Sequence, residues 1–170
     1  MMTRLENLQN KIVSLEDAKR RMGIWRNAGL KVAFTNGCFD ILHLGHVTYL
    51  TQTAELTNRL VVGMNTDSSV KRQGKGPNRP INDEESRQTV LASLSVVDLV
   101  VLFDEDTPFD LIKELMPDIV AKGADYDENE SDPTSKKYIV GKDIMTASGG
   151  KVVTIPLLDG YSTTGIAAKL

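Results

Sequence analysis

The sequence predicts an α/β protein with a doubly wound, Rossmann-like parallel sheet of about five strands and helices on both faces. Apolar runs without polar alternation are typical of strands buried on both faces, as in a parallel sheet. Such runs occur at 32–34, 60–64, 99–103, 119–121 and 152–155. Stripes of apolar residues with helical spacing lie between most of these runs, so strand and helix alternate along the chain.

The composition is typical of a globular domain, and it argues against several classes of partner and of metal site. The chain has 170 residues, of which 41% are hydrophobic and 25% charged, and its net charge of −3 favours neither nucleic acid nor a membrane as a partner. Cys38 is the one cysteine, which excludes an intrachain disulfide and a multi-cysteine zinc site. No apolar run approaches the roughly 18 residues of a transmembrane helix, and no signal peptide is evident, so we expect a cytoplasmic protein.

Residues 1–28 are predicted to form a helical arm in front of a main domain at 29–170. Apolar residues in this arm recur three, four or seven positions apart, and Ser14 is a candidate N-cap of a second helix. The arm either packs on the domain or provides a self-association surface, so a homodimer stays open. Further helices are predicted around 47–54, 90–94 and 111–115. The second follows a capping box at 82–85. The third follows an N-cap at Thr107 and ends before Pro117.

Two long loops carry opposite charge. Residues 66–82 hold four basic side chains among glycines and prolines, whereas residues 124–133 are acidic. Ligands of doubly wound sheets bind beyond the C-terminal ends of the strands. We therefore expect the basic loop, over residues 68–80, to be mobile without a ligand and to close over a bound polyanion.

The richest motif, residues 35–46, follows the first buried strand and opens the next helix. His43 and His46 are three residues apart, and Gly45 leaves room beside them. At a helix N-terminus this spacing lets both imidazoles and the free backbone N–H groups face one anion. Phosphate binding is therefore the favoured interpretation over a surface pair without a role. Metal ligation by the histidines is disfavoured because the chain has two histidines and one cysteine.

This motif resembles the signature of the cytidylyltransferase-like nucleotidyltransferases, a His-x-Gly-His that follows a Gly-x-Phe-Asp turn. In that family the two histidines contact the nucleotide phosphates, and the aspartate that matches Asp40 lies near the triphosphate and its metal. Three further segments match in family order, 65–67 after the second strand, 122–126 after the fourth, and 161–166 before the last helix. The resemblance covers about residues 30–170, nearly the whole chain.

The resemblance implies a set of site residues. Those implied to be catalytic are His43, His46 and a loop lysine, Lys75 or else Lys71. Those implied to bind the nucleotide are Asn36, Gly37, Phe39, Asp40, Gly45, Asp67, Ser162, Thr163 and Thr164. Those implied to bind the second substrate are Arg79, Arg87, Lys122 and Asp125. Mg²⁺ would accompany ATP, with Asp40 or Asp125 as candidate ligands.

Three segments, 70–81, 103–108 and 160–164, resemble the adenylyltransferase domain of the bacterial ADP-heptose synthesis enzymes. The implied reaction transfers AMP from ATP to a sugar 1-phosphate, D-glycero-β-D-manno-heptose 1-phosphate, and releases pyrophosphate. Because the chain is too short for the sugar kinase that is often fused to this domain, we expect a stand-alone transferase. The sequence departs from these enzymes at two places that concern the acceptor. Ala124 stands where the family commonly has glycine, and the acidic segment at 127–137 is longer than usual.

Three alternatives share the predicted fold. They are a glycerol-3-phosphate cytidylyltransferase, an FAD-synthase-like adenylyltransferase and a non-catalytic nucleotide-binding regulator. A dinucleotide-dependent oxidoreductase is disfavoured because no Gly-x-Gly-x-x-Gly follows the first strand. Cys38 is interpreted as a small buried residue beside the turn, since this phosphoryl transfer needs no protein nucleophile.

Overall fold

The computed structural model describes residues 2–74 and 76–167. The strands are β1 (Ile12–Val13), β2 (Val32–Gly37), β3 (Arg59–Asn65), β4 (Leu99–Phe103), β5 (Ile119–Gly123) and β6 (Lys151–Ile155). The helices are α1 (Arg4–Gln9), α2 (Leu15–Asn27), α3 (Leu44–Ala54), α4 (Asp67–Arg72), α5 (Glu84–Ser93), α6 (Phe109–Leu115), α7 (Lys142–Ser148) and α8 (Thr163–Ala167). The strands form one parallel sheet in the order β1-β4-β3-β2-β5-β6. The predicted α/β class is therefore confirmed.

The central strands are buried on both faces, which explains their uninterrupted apolar runs. Neighbouring residues of a strand point to opposite faces, so Phe34 packs in one core cluster with α2, α6 and α7, and Ala33 in another with α3 and α5. Phe34 and Ala33 are both fully buried. Two apolar layers therefore enclose the sheet and hold its strand ends in place.

β1 is a sixth strand that the sequence prediction of about five strands missed. Ile12 and Val13 pair in parallel with Val100 and Val101 of β4. Two residues are too few to show a strand period between two helical patterns. α1 contacts α5 and α2 contacts α6, so this segment packs on the sheet and its helices. Ser14 caps α2 as predicted, because its side chain accepts a hydrogen bond from Asp17 N at 3.2 Å.

The basic segment at 66–82 is partly helical, which corrects the prediction of one long loop. Thr66 caps α4 by accepting a hydrogen bond from Ser69 N at 3.1 Å, and Val70 is fully buried. The acidic segment at 124–133 contains no helix or strand, as expected. α7 was not predicted, since it is a single short helix with few apolar positions.

The chain order reverses on either side of β2, which decides where a ligand fits. From β2 the chain adds β3 and β4 on one side and then crosses to add β5 and β6 on the other. Doubly wound sheets bind ligands at such a switch point, beyond the carboxyl ends of the strands. Among the described residues, no helix is long and apolar enough to cross a membrane.

Candidate active site

The turn that joins β2 to α3 carries the motif at 35–46. β2 ends at Gly37, and α3 begins behind His43, whose side chain serves as its N-cap. Between them, Phe39 has a left-handed backbone with φ of 47°. Such a conformation in a non-glycine residue costs on the order of 1–3 kcal/mol and occurs at ligand clamps. The buried Phe39 ring, 5.3 Å from the ring of His46, holds the turn in this shape.

The two histidine rings stack on each other at the start of α3. Their centroids are 3.9 Å apart with 25° between the ring planes. Burial, helped by the neighbouring His43, lowers the pKa of His46 to about 4. Burial also lowers the pKa of His43. Both rings are therefore neutral hydrogen-bond donors and acceptors near pH 7.

The hydrogen bonds of the pair indicate where its ring protons lie. His43 Nδ1 accepts a hydrogen bond from His46 N at 3.4 Å, which puts the proton of neutral His43 on Nε2. His46 Nδ1 is buried and has no hydrogen-bond partner among the described residues. A buried polar atom without a partner is costly.

Gly45 lets two side chains approach the start of α3. A Cβ atom at Gly45 would lie 3.0 Å from the ring of His43 and 3.1 Å from Cβ of Tyr161. The Tyr161 ring itself lies 6.4 Å from the His43 ring. Tyr161, in the segment before α8, thus packs beside the histidine pair.

A cavity of about 470 Å³ opens above the ends of β2 and β5. The histidines and the hydroxyl groups of Ser162 and Thr163 line one side, and Leu157 and Leu158 add an apolar wall. Predicted site residues that line it are Asn36, Gly37, Phe39, His43, Gly45, His46, Lys122, Asp125, Ser162 and Thr163. This combination of an apolar wall with convergent polar groups is typical of a ligand site.

A second cavity of about 430 Å³ adjoins the first and extends towards Arg79 and Thr164. The Arg79 Nε donates to Asp40 Oδ2, while Asp40 Oδ1 accepts from the backbone N–H groups of Ile81 and Asn82 at 2.8 and 2.9 Å. Burial raises the pKa of Asp40, but these hydrogen bonds and Arg79 lower it more, so the net shift is downward. Asp40 therefore stays ionised and fixes the 79–82 segment. We refer to this space as the Arg79 cavity.

A third cavity of about 250 Å³ lies towards β3 and α4. Its lining residues beyond the wall that it shares with the first cavity are Asn65, Gln73, Asp106, Thr107, Pro108 and Val140. Lys122 stands in the shared wall, 8% exposed, with its Nζ 2.6 Å from Asn36 Oδ1 and 5.2 Å from the centre of the Tyr126 ring. We refer to this space as the small cavity.

A family model described as cytidylyltransferase-like matches residues 34–168, which include the ends of β2 and β5 at the first cavity. The chain belongs to the cytidylyltransferase-like family. The predicted family and its nucleotidyltransferase class are thereby confirmed.

Longer proteins are similar to this cytidylyltransferase-like chain over nearly its whole length. It is 52% identical over 160 residues to "Bifunctional protein HldE" of Caulobacter vibrioides, an alignment that covers 94% of this chain and 31% of that protein. It is 50% identical over 161 residues to the protein of the same name from Magnetococcus marinus, and this alignment covers 95% of this chain and 31% of that protein. The chain thus spans about a third of the length of these relatives.

A solved structure has the same fold. The crystal structure of the lipopolysaccharide core biosynthesis protein from Thermoplasma volcanium GSS1 is 32% identical, with a TM-score of 0.60. The match covers 77% of this chain and 100% of that chain.

Arg87 lies in the interior and lines none of the three cavities. It is 1% exposed, and its guanidinium donates to Cys38 O at 2.6 Å, to Asp67 Oδ1 at 2.7 Å and to Asn82 O at 3.1 Å. The expected direct contact of Arg87 with a substrate phosphate does not fit this burial. Because Asp67 takes part in this ion pair, Arg87 and Asp67 together hold the β2–α3 turn against β3 and α5.

Of the two loop lysines, Lys71 is not brought to the described site. Lys71 is exposed in the last turn of α4 and lines none of the three cavities. Lys75 lies outside the described residues. Among the residues that the structure does describe, no group of three or more His, Cys, Asp or Glu side chains is arranged to hold a metal ion.

The small cavity holds the residues that sequence reasoning missed. Gln73, Asp106 and Thr107 come from two loops and line it together with Asn65. Residues 65 and 106 were noted only as parts of family-like segments. Their shared cavity depends on the parallel pairing of β3 with β4, which no local pattern reveals.

Proposed function

We propose that the chain transfers AMP from ATP to D-glycero-β-D-manno-heptose 1-phosphate, giving ADP-heptose and pyrophosphate. The observation that carries the proposal is that three cavities meet at Gly37 and Cys38, beside the stacked His43 and His46. The likeness to the lipopolysaccharide core biosynthesis protein supports an acceptor of the sugar class. The likeness of 70–81, 103–108 and 160–164 to the ADP-heptose enzymes supports the heptose.

The nucleotide fits the two cavities that share the histidine side of the turn. Leu157 and Leu158 offer an apolar wall for the base in the first cavity. The Arg79 cavity then takes the β- and γ-phosphates, where Thr163 and Thr164 add hydroxyl groups at the start of α8. Hydroxyls, backbone N–H groups and a guanidinium are the usual partners of phosphate oxygens.

The reaction is an in-line displacement at the α-phosphorus. An oxygen of the acceptor phosphate forms the new bond to phosphorus, the bond from the α-phosphorus to the oxygen that bridges it to the β-phosphate breaks, and pyrophosphate leaves with that electron pair. The acceptor phosphate is already an anion near pH 7, so no strong general base is needed. The protein's part is to position both reactants and to stabilise the charge that develops.

Residues of the turn and of the surrounding cavity walls have different roles in this reaction. Neutral His43 and His46 donate N–H groups to oxygens of the reacting phosphate, where buried donors stabilise developing charge strongly. Lys122 supplies positive charge at the wall between the first and the small cavity. Arg79, which Asp40 orients, supplies positive charge on the leaving-group side.

Mg²⁺ fits the proposal as a partner of the triphosphate, because magnesium keeps most of its waters and binds through one or two carboxylates and phosphate oxygens. Both oxygens of Asp40 already accept hydrogen bonds from Arg79, Ile81 and Asn82, so its carboxylate is poorly suited to ligate a metal directly. Asp125 is exposed and lines the first cavity, so its carboxylate is the better candidate to hold the ion. The ion would neutralise charge on the triphosphate.

Pyrophosphate release with each nucleoside triphosphate against a panel of phosphorylated acceptors tests the proposal. We expect turnover with ATP and the heptose 1-phosphate to exceed all other pairs. Efficient turnover of CTP with glycerol 3-phosphate, or of ATP with FMN, would contradict the heptose assignment and leave the family unchanged. A protein that binds ATP and turns over no acceptor would instead be a nucleotide-binding regulator.

A further inference from the structure

We propose that the small cavity binds the polyol part of the phosphorylated acceptor, with Asp106 and Gln73 as specificity-determining residues for its hydroxyl groups. This inference rests on the proposed function. It assigns to the acceptor a binding place and the side chains that recognise its hydroxyl groups.

The arrangement of the three cavities carries the first step. An in-line displacement needs the attacking and leaving oxygens on opposite sides of the α-phosphorus. The small cavity and the Arg79 cavity each open into the first cavity, yet they share only Gly37 and Cys38 with each other. If pyrophosphate leaves on the side of Arg79, the small cavity is the space from which an acceptor approaches.

The side chains of the small cavity suit a neutral polyol. The amide of Gln73 and the hydroxyl of Thr107 both donate and accept hydrogen bonds, and the carboxylate of Asp106 accepts them. Among the described lining residues the one cation is Lys122, and it lies in the wall shared with the first cavity. An acceptor phosphate therefore fits beside Lys122 at the junction, and its hydroxyl groups point towards Asp106.

Contacts between α4 and the segment after β4 hold these groups in place. The Arg72 Nε donates to Asp106 Oδ1 at 2.8 Å, and Ser69 Oγ donates to Glu105 O at 2.9 Å. Gln73 Oε1 lies 3.3 Å from Sγ of Cys38, so its amide is tied to the junction itself. Groups fixed in this way present their hydrogen-bonding atoms to an acceptor in a set geometry, which favours an acceptor whose hydroxyl groups match them.

Asp104 offers a matched control for Asp106. Both carboxylates contact Arg72, with Asp104 Oδ2 at 3.4 Å and Asp106 Oδ1 at 2.8 Å, and both are exposed. Asp106 lines the small cavity and Asp104 lines none of the three. The two substitutions to asparagine therefore both remove an ion pair with Arg72, and Asp104→Asn also alters an acceptor of the Thr66 hydroxyl, but only Asp106 has access to the acceptor in the small cavity.

The test measures KM for the acceptor and for ATP by pyrophosphate release. We expect Asp106→Asn to raise the acceptor KM about tenfold, as loss of a hydrogen bond to a charged group does, and to leave the ATP KM within about twofold. Asp104→Asn should leave both constants within about twofold. Gln73→Ala should also raise the acceptor KM, with folding of each variant checked by thermal unfolding.

Two results separate this inference from the proposed function. If the wild type turns over the heptose 1-phosphate but Asp106→Asn and Gln73→Ala keep the acceptor KM, or raise both KM values equally, the small cavity is not the acceptor site. If the wild type prefers another polyol phosphate, the heptose assignment is wrong and the same variants test the cavity with that acceptor. A wild type that turns over no phosphorylated polyol overturns both.

Discussion

Asp40 and Arg79 form an ion pair that ties the β2–α3 turn to the segment before α5. The side chain of Asp40 is fully buried and that of Arg79 is 12% exposed. Asp40 comes from the histidine motif and Arg79 from the basic segment 39 residues later. The pair therefore fixes a guanidinium in the cavity that His46 also lines, and we expect its removal to lower both stability and phosphate binding.

Asp40→Asn should lower the free energy of unfolding by about 3 kcal/mol, because it leaves the guanidinium of Arg79 without its buried counter-charge. Urea unfolding measures this loss. Asp104→Asn is the control, since its ion pair with Arg72 is exposed and should contribute less than about 1 kcal/mol. Equal losses in the two variants would mean that the Asp40 pair is no stronger than a surface pair.

His46→Ala should lower kcat about 100-fold or more, which is the usual effect of removing one well-placed donor to developing charge. Pyrophosphate release under saturating ATP measures it. Gln52→Ala, an exposed position on the same helix, should keep wild-type turnover. Near wild-type kcat in His46→Ala would remove the basis for its role in the reaction.

Stability should fall as the pH is lowered from about 6.5 towards 4. The pKa of His46 in the folded protein is about 4, below the usual 6.5 of a histidine side chain, so in this window the unfolded chain takes up a proton that the folded protein does not. The folded pKa of His43 is lowered as well, with the same sign. Urea unfolding at pH 7 and pH 5 measures the difference, and His46→Gln should reduce it. An unchanged difference in that variant would show that other groups cause it.

Gly45→Ala should lower kcat/KM about tenfold or more, because the new methyl group displaces the His43 ring or Tyr161 from the helix start. Gly23→Ala in α2 is the matched control. A Cβ at Gly23 meets no atom within 4 Å beyond its chain neighbours and the backbone of its own helix, so this variant should keep its activity and gain up to about 1 kcal/mol of stability. Unchanged activity in Gly45→Ala would show that the close packing there is not needed.

Closure of the basic segment over the nucleotide stays a prediction, and the structure restricts where it applies. Val70 is fully buried in α4, so amides around it should be protected with or without ligand. We expect ATP with Mg²⁺ to slow hydrogen exchange mainly in residues 73–80. Equal exchange of that stretch in both states would exclude closure.

Local patterns were sufficient for the fold class and the position of the histidine motif. Buried parallel strands need apolar residues on both faces, so the runs at β2 to β6 predict the sheet without knowledge of contacts. A motif such as 35–46 is equally local, because His43 and His46 lie three residues apart at a single helix start, where their rings stack. The cap at Ser14 also depends only on a neighbour three residues away, whereas the N-cap predicted at Thr107 was wrong, because α6 begins behind Pro108 without a side-chain cap.

Tertiary structure decided the roles of residues whose partners are distant in sequence. Arg87 looks like a free cation until the chain brings Asp67 and Cys38, which are 20 and 49 residues away, against its guanidinium. β1 becomes a strand only because β4 offers it an open edge. The small cavity forms only when β3 and β4 pair and carry Gln73 and Asp106 to one side. These outcomes depend on burial and on long-range pairing, and neither leaves a periodic trace in the sequence.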